Sequence, residues 1–282
     1  MSLGIAFKGA EGIVLAADSR VTLFAQTPDQ KMQIPASFDN ATKLLRVSDQ
    51  NYVGAVTYGI GAIGQLAPRT AHSFIPEFEK ELGEANARLK VEDFATKLGN
   101  FYQKRWEEAK MPTEIQGQAM VFLVAGYDEG AAYGRVFEIQ IPSQPKPKEH
   151  NAGNEFGITW GGQAESVQRL LNGFDEQLLS VVQEQLKLPS DQINTLGTQL
   201  RMRLSARIPY QFLPLQDCVD LAIFLIRATS NLQTWSVGIR GVGGAIDVAT
   251  ITRTAGFEPV QQKQILGERT TESLLIGDQG HE

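Results

Sequence analysis

Ser2 stands directly behind Met1, and its small side chain makes Met1 removable by an aminopeptidase. Removal would leave a hydroxyl and a free α-amino group on one residue. With a pKa of about 7.7–8.0, that amine is largely basic near neutral pH and can take the proton of its own hydroxyl, directly or through a water. This is enough for nucleophilic attack on a carbonyl without a histidine. Two charged residues sit beside apolar runs that should bury them: Asp18, in AADSR at the end of one run, and Lys43, in TKLLRV at the start of another. An unpaired buried charge costs on the order of several kcal/mol, so the two are expected to be paired. As a structural pair they only close a strand end. As a functional pair, Asp18 keeps Lys43 charged, and the field of Lys43 lowers the pKa of a neighbouring hydroxyl.

Other reactive residue types offer less. Cys218 is the single cysteine, lies in the apolar run CVDLAIFLI, and reads as a small buried hydrophobe. His72, His150 and His281 are far apart, with no spacing that sets two ligands on one helical face, so neither a metal site nor a cofactor is expected. The glycines of GIRGVGGAID lack the lysine and the following helix of a phosphate loop and read as a tight hairpin. Glu79, Glu81, Glu107 and Glu108 read as solvated faces, because nothing apolar isolates one carboxylate from another.

The elements that must hold Ser2, Asp18 and Lys43 begin with LGIAFKGAEGIVLAADSR, a hairpin turning at residues 9–12. Residues 24–41, with Pro28 and Pro35, read as a loop, and 43–47 with 52–56 as a second hairpin. Apolar periodicity predicts helices over 62–82 and 91–110. Strands are expected at 118–126 and 133–141, then a Pro- and Lys-rich break at 142–150 and a short strand near 155–160. Helical periods return at 166–186, 190–206 and 215–229, and strands near 235–242 and 246–253 close the fold. Blocks of strands alternating with blocks of helices argue for an α+β layered sandwich rather than a doubly wound parallel sheet. Residues 1–255 read as one domain and 256–282 as an aperiodic tail, either disordered or draped over a neighbour.

At 282 residues, 42% apolar and 21% charged, the chain can bury a full core without metal or disulfide help. Its net charge of -6 has the wrong sign for a nucleic-acid or acidic-membrane partner. No apolar run approaches the roughly 20 residues that span a bilayer and no leader pattern opens the chain, so a cytoplasmic location is expected.

The opening MSLGIAFKGAEGIVLAADSRVT resembles the N-terminus of a proteasome β-type subunit, a bacterial proteasome homologue among the N-terminal-nucleophile hydrolases. The resemblance sets Ser2 on the family's N-terminal threonine. It sets Asp18, Ser19 and Arg20 on its D-S-R motif, and Lys43 on its catalytic lysine. YVGAVTYGIGAIG is similar to the stretch ending in the oxyanion loop, which implies the backbone N–H of Tyr58 or Gly59 as oxyanion donor. Gly161 and Gly162 stand where the family has a serine between glycines. Near the last helix, Ser236, with Gln233 and Thr234, stands near the usual aspartate and serine. The fold implied is a four-layer αββα sandwich of the N-terminal-nucleophile hydrolase type.

The function implied is hydrolysis of peptide or other amide bonds by Ser2, inside a homo-oligomeric ring or stacked ring, on a peptide or protein substrate. Whether an ATP-driven unfoldase feeds it stays open. Two alternatives keep the same chain: a catalytically silent assembly subunit, and an amidase for small non-peptide substrates.

Overall fold

The computed structural model describes residues 2–26, 33–64, 67–83, 87–113 and 119–267. The chain opens with β1 (Leu3–Lys8), β2 (Ile13–Asp18), β3 (Val21–Gln26), β4 (Gln33–Phe38), β5 (Leu44–Leu45), β6 (Val53–Gly59), β7 (Ala62–Ile63) and β8 (Arg69–Thr70). A 3-10 turn (Ala71–Phe74) leads into α1 (Ile75–Leu82) and α2 (Val91–Glu108). Then come β9 (Met120–Gly126), β10 (Arg135–Ile141), β11 (Gln144–His150) and β12 (Gly157–Gly162). α3 (Glu165–Asn172), α4 (Glu176–Leu186), α5 (Ser190–Leu204) and α6 (Leu215–Trp235) follow, and then β13 (Ile246–Thr252) and β14 (Gly256–Gln261).

Two antiparallel sheets of five strands run in the orders β12-β1-β2-β13-β14 and β11-β10-β9-β6-β5. Alternation of side chains along β1 and β2 explains their uninterrupted apolar runs. Leu3, Ile5, Phe7, Val14 and Ala16 meet Ala222, Leu225 and Ile226 of α6, while Ala6, Leu15 and Ala17 meet Val56, Leu123 and Ala125 of the other sheet. On the far side of β6, Val53 and Ala55 pack with Phe94, Leu98 and Phe101 of α2. Each large apolar side chain so buried contributes about 1.5–3 kcal/mol. That gain holds Asp18 at the buried end of β2 and makes its hydrogen bonds obligatory.

The expected four-layer αββα sandwich of the N-terminal-nucleophile hydrolase type is corrected. Among the described residues the architecture is mixed and sheet-rich, with antiparallel sheets and six α-helices. Helices α4 and α5 pack on each other around Leu179 and Ile193 in a cluster of their own, and β3-β4 and β7-β8 are ribbons outside both sheets.

Local expectations shift as well. The loop expected over 24–41 contains the ribbon β3-β4, in which Pro35 opposes Phe24; a proline is tolerated in an edge strand. The helix expected from 62 starts at Ile75, behind β7, β8 and the 3-10 turn. The break expected at 142–150 contains the edge strand β11, whose Pro145 and Pro147 alternate so that their missing donors fall on one side. Helix 166–186 is two helices, broken at Gly173 (φ 80°) and restarted by Asp175, whose carboxylate accepts from Gln177 and Leu178 N–H. No strand forms at 235–242; the closing hairpin is β13-β14, so residues 256–261, read as part of the tail, are a sheet edge. Residues 268–282 of that tail lie outside the described residues. Among the described residues no helix is long and apolar enough to cross a membrane.

Candidate active site

Asp18 ends β2 opposite Ile246 of β13 and is 1% exposed. Its carboxylate is fully engaged. Oδ1 accepts from the Leu3 N–H at 3.0 Å and from Lys43 Nζ at 2.6 Å, while Oδ2 accepts from the N–H groups of Arg20 at 3.1 Å and Gly243 at 3.0 Å. Lys43 Nζ also donates to the Arg20 carbonyl at 2.6 Å. Lys43 itself is 5% exposed and is tied to β6 by its carbonyl, which accepts the Thr57 N–H at 3.0 Å. Burial pushes the Lys43 pKa below the ordinary lysine value; the charge and hydrogen bond of Asp18 oppose that shift without cancelling it.

Ser2 is 3% exposed, and its carbonyl accepts the Gln163 N–H at 2.8 Å. Ser2, Lys43, Thr57 and Tyr58 line one cleft. The rest of its wall, including Val21, Ile60, Gly61 and Ala71, is uncharged. Ser2 and Lys43, far apart in sequence, thus share a cleft, and Asp18 bonds both to Lys43 and to the residue after Ser2.

Three glycines make room for this arrangement. Gly4 of β1 opposes Gly161 of β12, and the Tyr58 ring lies over the pair. A Cβ on Gly161 would fall 2.2 Å from Tyr58 Oη, and one on Gly4 2.7 Å from Tyr58 Cδ1. Gly162 has φ +99°, and its Cβ would fall 1.9 Å from the Ser2 carbonyl oxygen. Gly161 and Gly162 therefore serve the site by lacking side chains. Burial raises the Tyr58 phenol above its ordinary pKa and keeps it neutral.

Of the two backbone donors expected here, strand alternation separates Tyr58 from Gly59. Thr57 N–H points to Lys43, and Ile60 N–H points the other way, to the Ala119 carbonyl at 2.9 Å. The Tyr58 N–H then shares the β9 side with Ile60, and the Gly59 N–H shares the Lys43 side with Thr57.

The remaining expected residues are scattered. Ser19 is fully buried; its N–H donates to the Gly243 carbonyl at 3.0 Å and its hydroxyl to Asp247 Oδ2 at 3.5 Å. The Arg20 side chain forks onto Asp39 at 2.5 and 2.7 Å, holding that carboxyl below its usual pKa. Ser236 is exposed at the end of α6, its hydroxyl bonded to the Leu232 carbonyl at 2.8 Å, and it is not part of the cleft wall. Gln233 comes nearer: its amide bonds Gln163 Oε1 and accepts the Val242 N–H at 2.9 Å, bracing the residue that holds the Ser2 carbonyl.

Gln163, Gly243 and Asp247 are the residues sequence reasoning missed. For Gly243 the glycines of GVGG were the signal, misread as a hairpin. A Cβ there would lie 2.6 Å from Arg20 Cζ, and one on Gly244 (φ +73°) 2.3 Å from the Asp39 carbonyl oxygen. For Asp247 the signal was an acid inside the apolar strand AIDVATI, the same signal that singled out Asp18. Gln163 acts through its backbone N–H and left none.

No family model and no curated protein matches the chain. Among solved structures, a chain of the helical assembly of the Anbu complex from Pseudomonas aeruginosa is similar at a TM-score of 0.55 and 15% identity. The likeness covers 97% of this chain and 90% of that one. A likeness at that identity is one of fold. The expected membership among proteasome β-type N-terminal-nucleophile hydrolases, as a bacterial proteasome homologue, is corrected accordingly: what is found is a distant fold likeness to the Anbu chain, with no family match behind it.

Proposed function

We propose that this chain is an N-terminal serine hydrolase of amide bonds, peptide bonds foremost, working within a self-assembled oligomer. The observation that carries the reading is the pair of hydrogen bonds accepted by Asp18 Oδ1, from the ammonium of the cleft residue Lys43 and from the backbone N–H that follows Ser2. One buried carboxylate thereby fixes the nucleophile's backbone and a cation in the same cleft. Once Met1 is removed, the Ser2 amine takes the proton of Ser2 Oγ, and Oγ attacks the carbonyl carbon. The field of Lys43 favours the alkoxide, and the Gly59 N–H, on the Lys43 side of β6, meets the oxyanion. Collapse of the intermediate passes the proton from the Ser2 ammonium to the leaving amine and leaves an ester on Ser2. A water deprotonated by the same amine then cleaves the ester, restoring the enzyme. Assembly is supported by the fold likeness to a chain that forms a helical assembly.

The test starts from protein made with its natural start codon. Intact mass is expected to show Met1 absent, and fluorogenic peptides are expected to be hydrolysed by wild type but not by Ser2→Ala. Met1 fully retained on an active protein would overturn the mechanism.

A further inference from the structure

A second lysine–carboxylate pair stands behind the first. Asp247 of β13 is 4% exposed, one register step from the Ile246 that opposes Asp18. Its Oδ1 accepts the Lys263 N–H at 2.9 Å, and its Oδ2 bonds both Lys263 Nζ and, at 3.5 Å, the buried Ser19 hydroxyl. Ser19 lies between Asp18 and Arg20, whose N–H and carbonyl bond Asp18 and Lys43 respectively. Lys263 follows β14, so the segment leaving the last strand is latched back onto the strand beside the site.

We propose that Asp247 and Lys263 are positioning residues for the hydrolytic site: their ion pair, acting through the Ser19 hydroxyl, holds the Ser19 turn against Asp18 and so fixes the Asp18–Lys43 pair beside Ser2. The inference rests on the proposed reading of Lys43 as the cation of the site. The charged and titratable groups around Lys43 are Asp18 from β2, Arg20 and Asp39 at the ends of the β3-β4 ribbon, Tyr58 from β6, Asp247 from β13, Lys263 after β14 and, once Met1 is removed, the Ser2 amine in the same cleft. Within this set the charge of Lys263 lowers the Lys43 pKa and that of Asp247 raises it. Two opposite charges on one pair allow a test by sign.

Lys263→Gln removes the cation and leaves Asp247 to favour the Lys43 ammonium; Asp247→Asn removes the anion and leaves Lys263 to oppose it. The Lys43 midpoint, read by NMR titration of protein carrying ¹³C-labelled lysine and assigned with Lys43→Arg, is expected to rise in the first variant and fall in the second. The double variant should return toward wild type, and Lys263→Arg should keep the wild-type midpoint. The alkaline limb of the pH–rate profile should move with it in each case. Midpoints that stay put, or move in the same direction in both single variants, overturn the proposal and leave the pair as packing. Because the titration needs no turnover, a protein that hydrolyses nothing but shows the opposed shifts would refute the hydrolase reading alone. If one single variant does not fold, the sign of the shift in the other still decides: an unmoved Lys43 midpoint there overturns the proposal.

Discussion

In the proposed mechanism Lys43 and Ser2 carry the chemistry, and each would set one limb of the pH dependence. The Ser2 amine must be unprotonated to act as a base, so activity is expected to rise with pH through about 8. Lys43 must be protonated to exert its field, so activity should fall again through a midpoint that burial has lowered from the ordinary lysine value. The two together predict a bell in kcat/KM, and a flat profile on the alkaline side would remove Lys43 from the mechanism. Lys43→Ala is expected to lose about 100-fold or more in turnover, the usual scale for a catalytic proton-handling group, with circular dichroism unchanged. Near-normal turnover would make Lys43 structural. These residues were legible in the sequence because burial makes a charge conspicuous: Asp18 and Lys43 interrupt apolar runs, and physics then requires them to be paired. Gln163 was not legible, since it acts through its backbone. Ser236 illustrates the opposite error, a hydroxyl of the right type near the right helix that bonds its own Leu232 carbonyl.

At the scale of elements, β1, β2 and β6 were readable because strands buried on both faces are apolar throughout, a pattern that survives any change of partners. The ribbon β3-β4, the edge strand β11 and the strand β14 were not, because prolines and short irregular runs look like loops until their partners are known. The glycines of β12 bring element and site together. Gly161→Ala would drive a methyl into the Tyr58 ring edge, from Oη at 2.2 Å to Cε2 at 2.5 Å. Overpacking of this kind costs about 1–3 kcal/mol, read as a drop of several degrees in melting temperature. Gly162→Ala should cost more, since its clash is with the Ser2 carbonyl and its φ is positive. The diagnostic outcome is activity lost in Gly162→Ala protein that still folds, because the displaced atom belongs to Ser2, the proposed nucleophile. Apart from Lys43 the described cleft wall is uncharged, which gives a second expectation: acyl groups with small, uncharged side chains should be preferred over basic ones in a peptide library. Equal turnover of a basic series would assign the acyl pocket elsewhere.

At the scale of the whole molecule, the proposed assembly needs a surface, and α6 offers one. Phe224, Leu232 and Trp235 fall within about 80° of one another on a helix of 3.6 residues per turn, and all three are exposed, Trp235 to 79%. Val237 and Ile239 extend the same apolar end beyond the helix. Exposed apolar side chains gathered on one helix face mark contact surfaces more often than single ones do. The chain after β14 adds exposed Ile265 and Leu266. Deleting residues 257–282 would not isolate that surface. Phe257 is 4% exposed, packs against Gly54, and donates its N–H to the Asn51 carbonyl at 2.6 Å, so that cut removes part of the core. The informative changes are Trp235→Asp and Val237→Asp, which place a charge on the apolar end without touching the cleft. Light scattering of wild type should give a mass many times that of one chain, and of either variant a smaller one, with the melting temperature of the subunit unchanged. A wild-type protein that stays monomeric at micromolar concentration would sink the enclosed-oligomer reading, while leaving the Ser2, Asp18 and Lys43 site to be judged by its own variants.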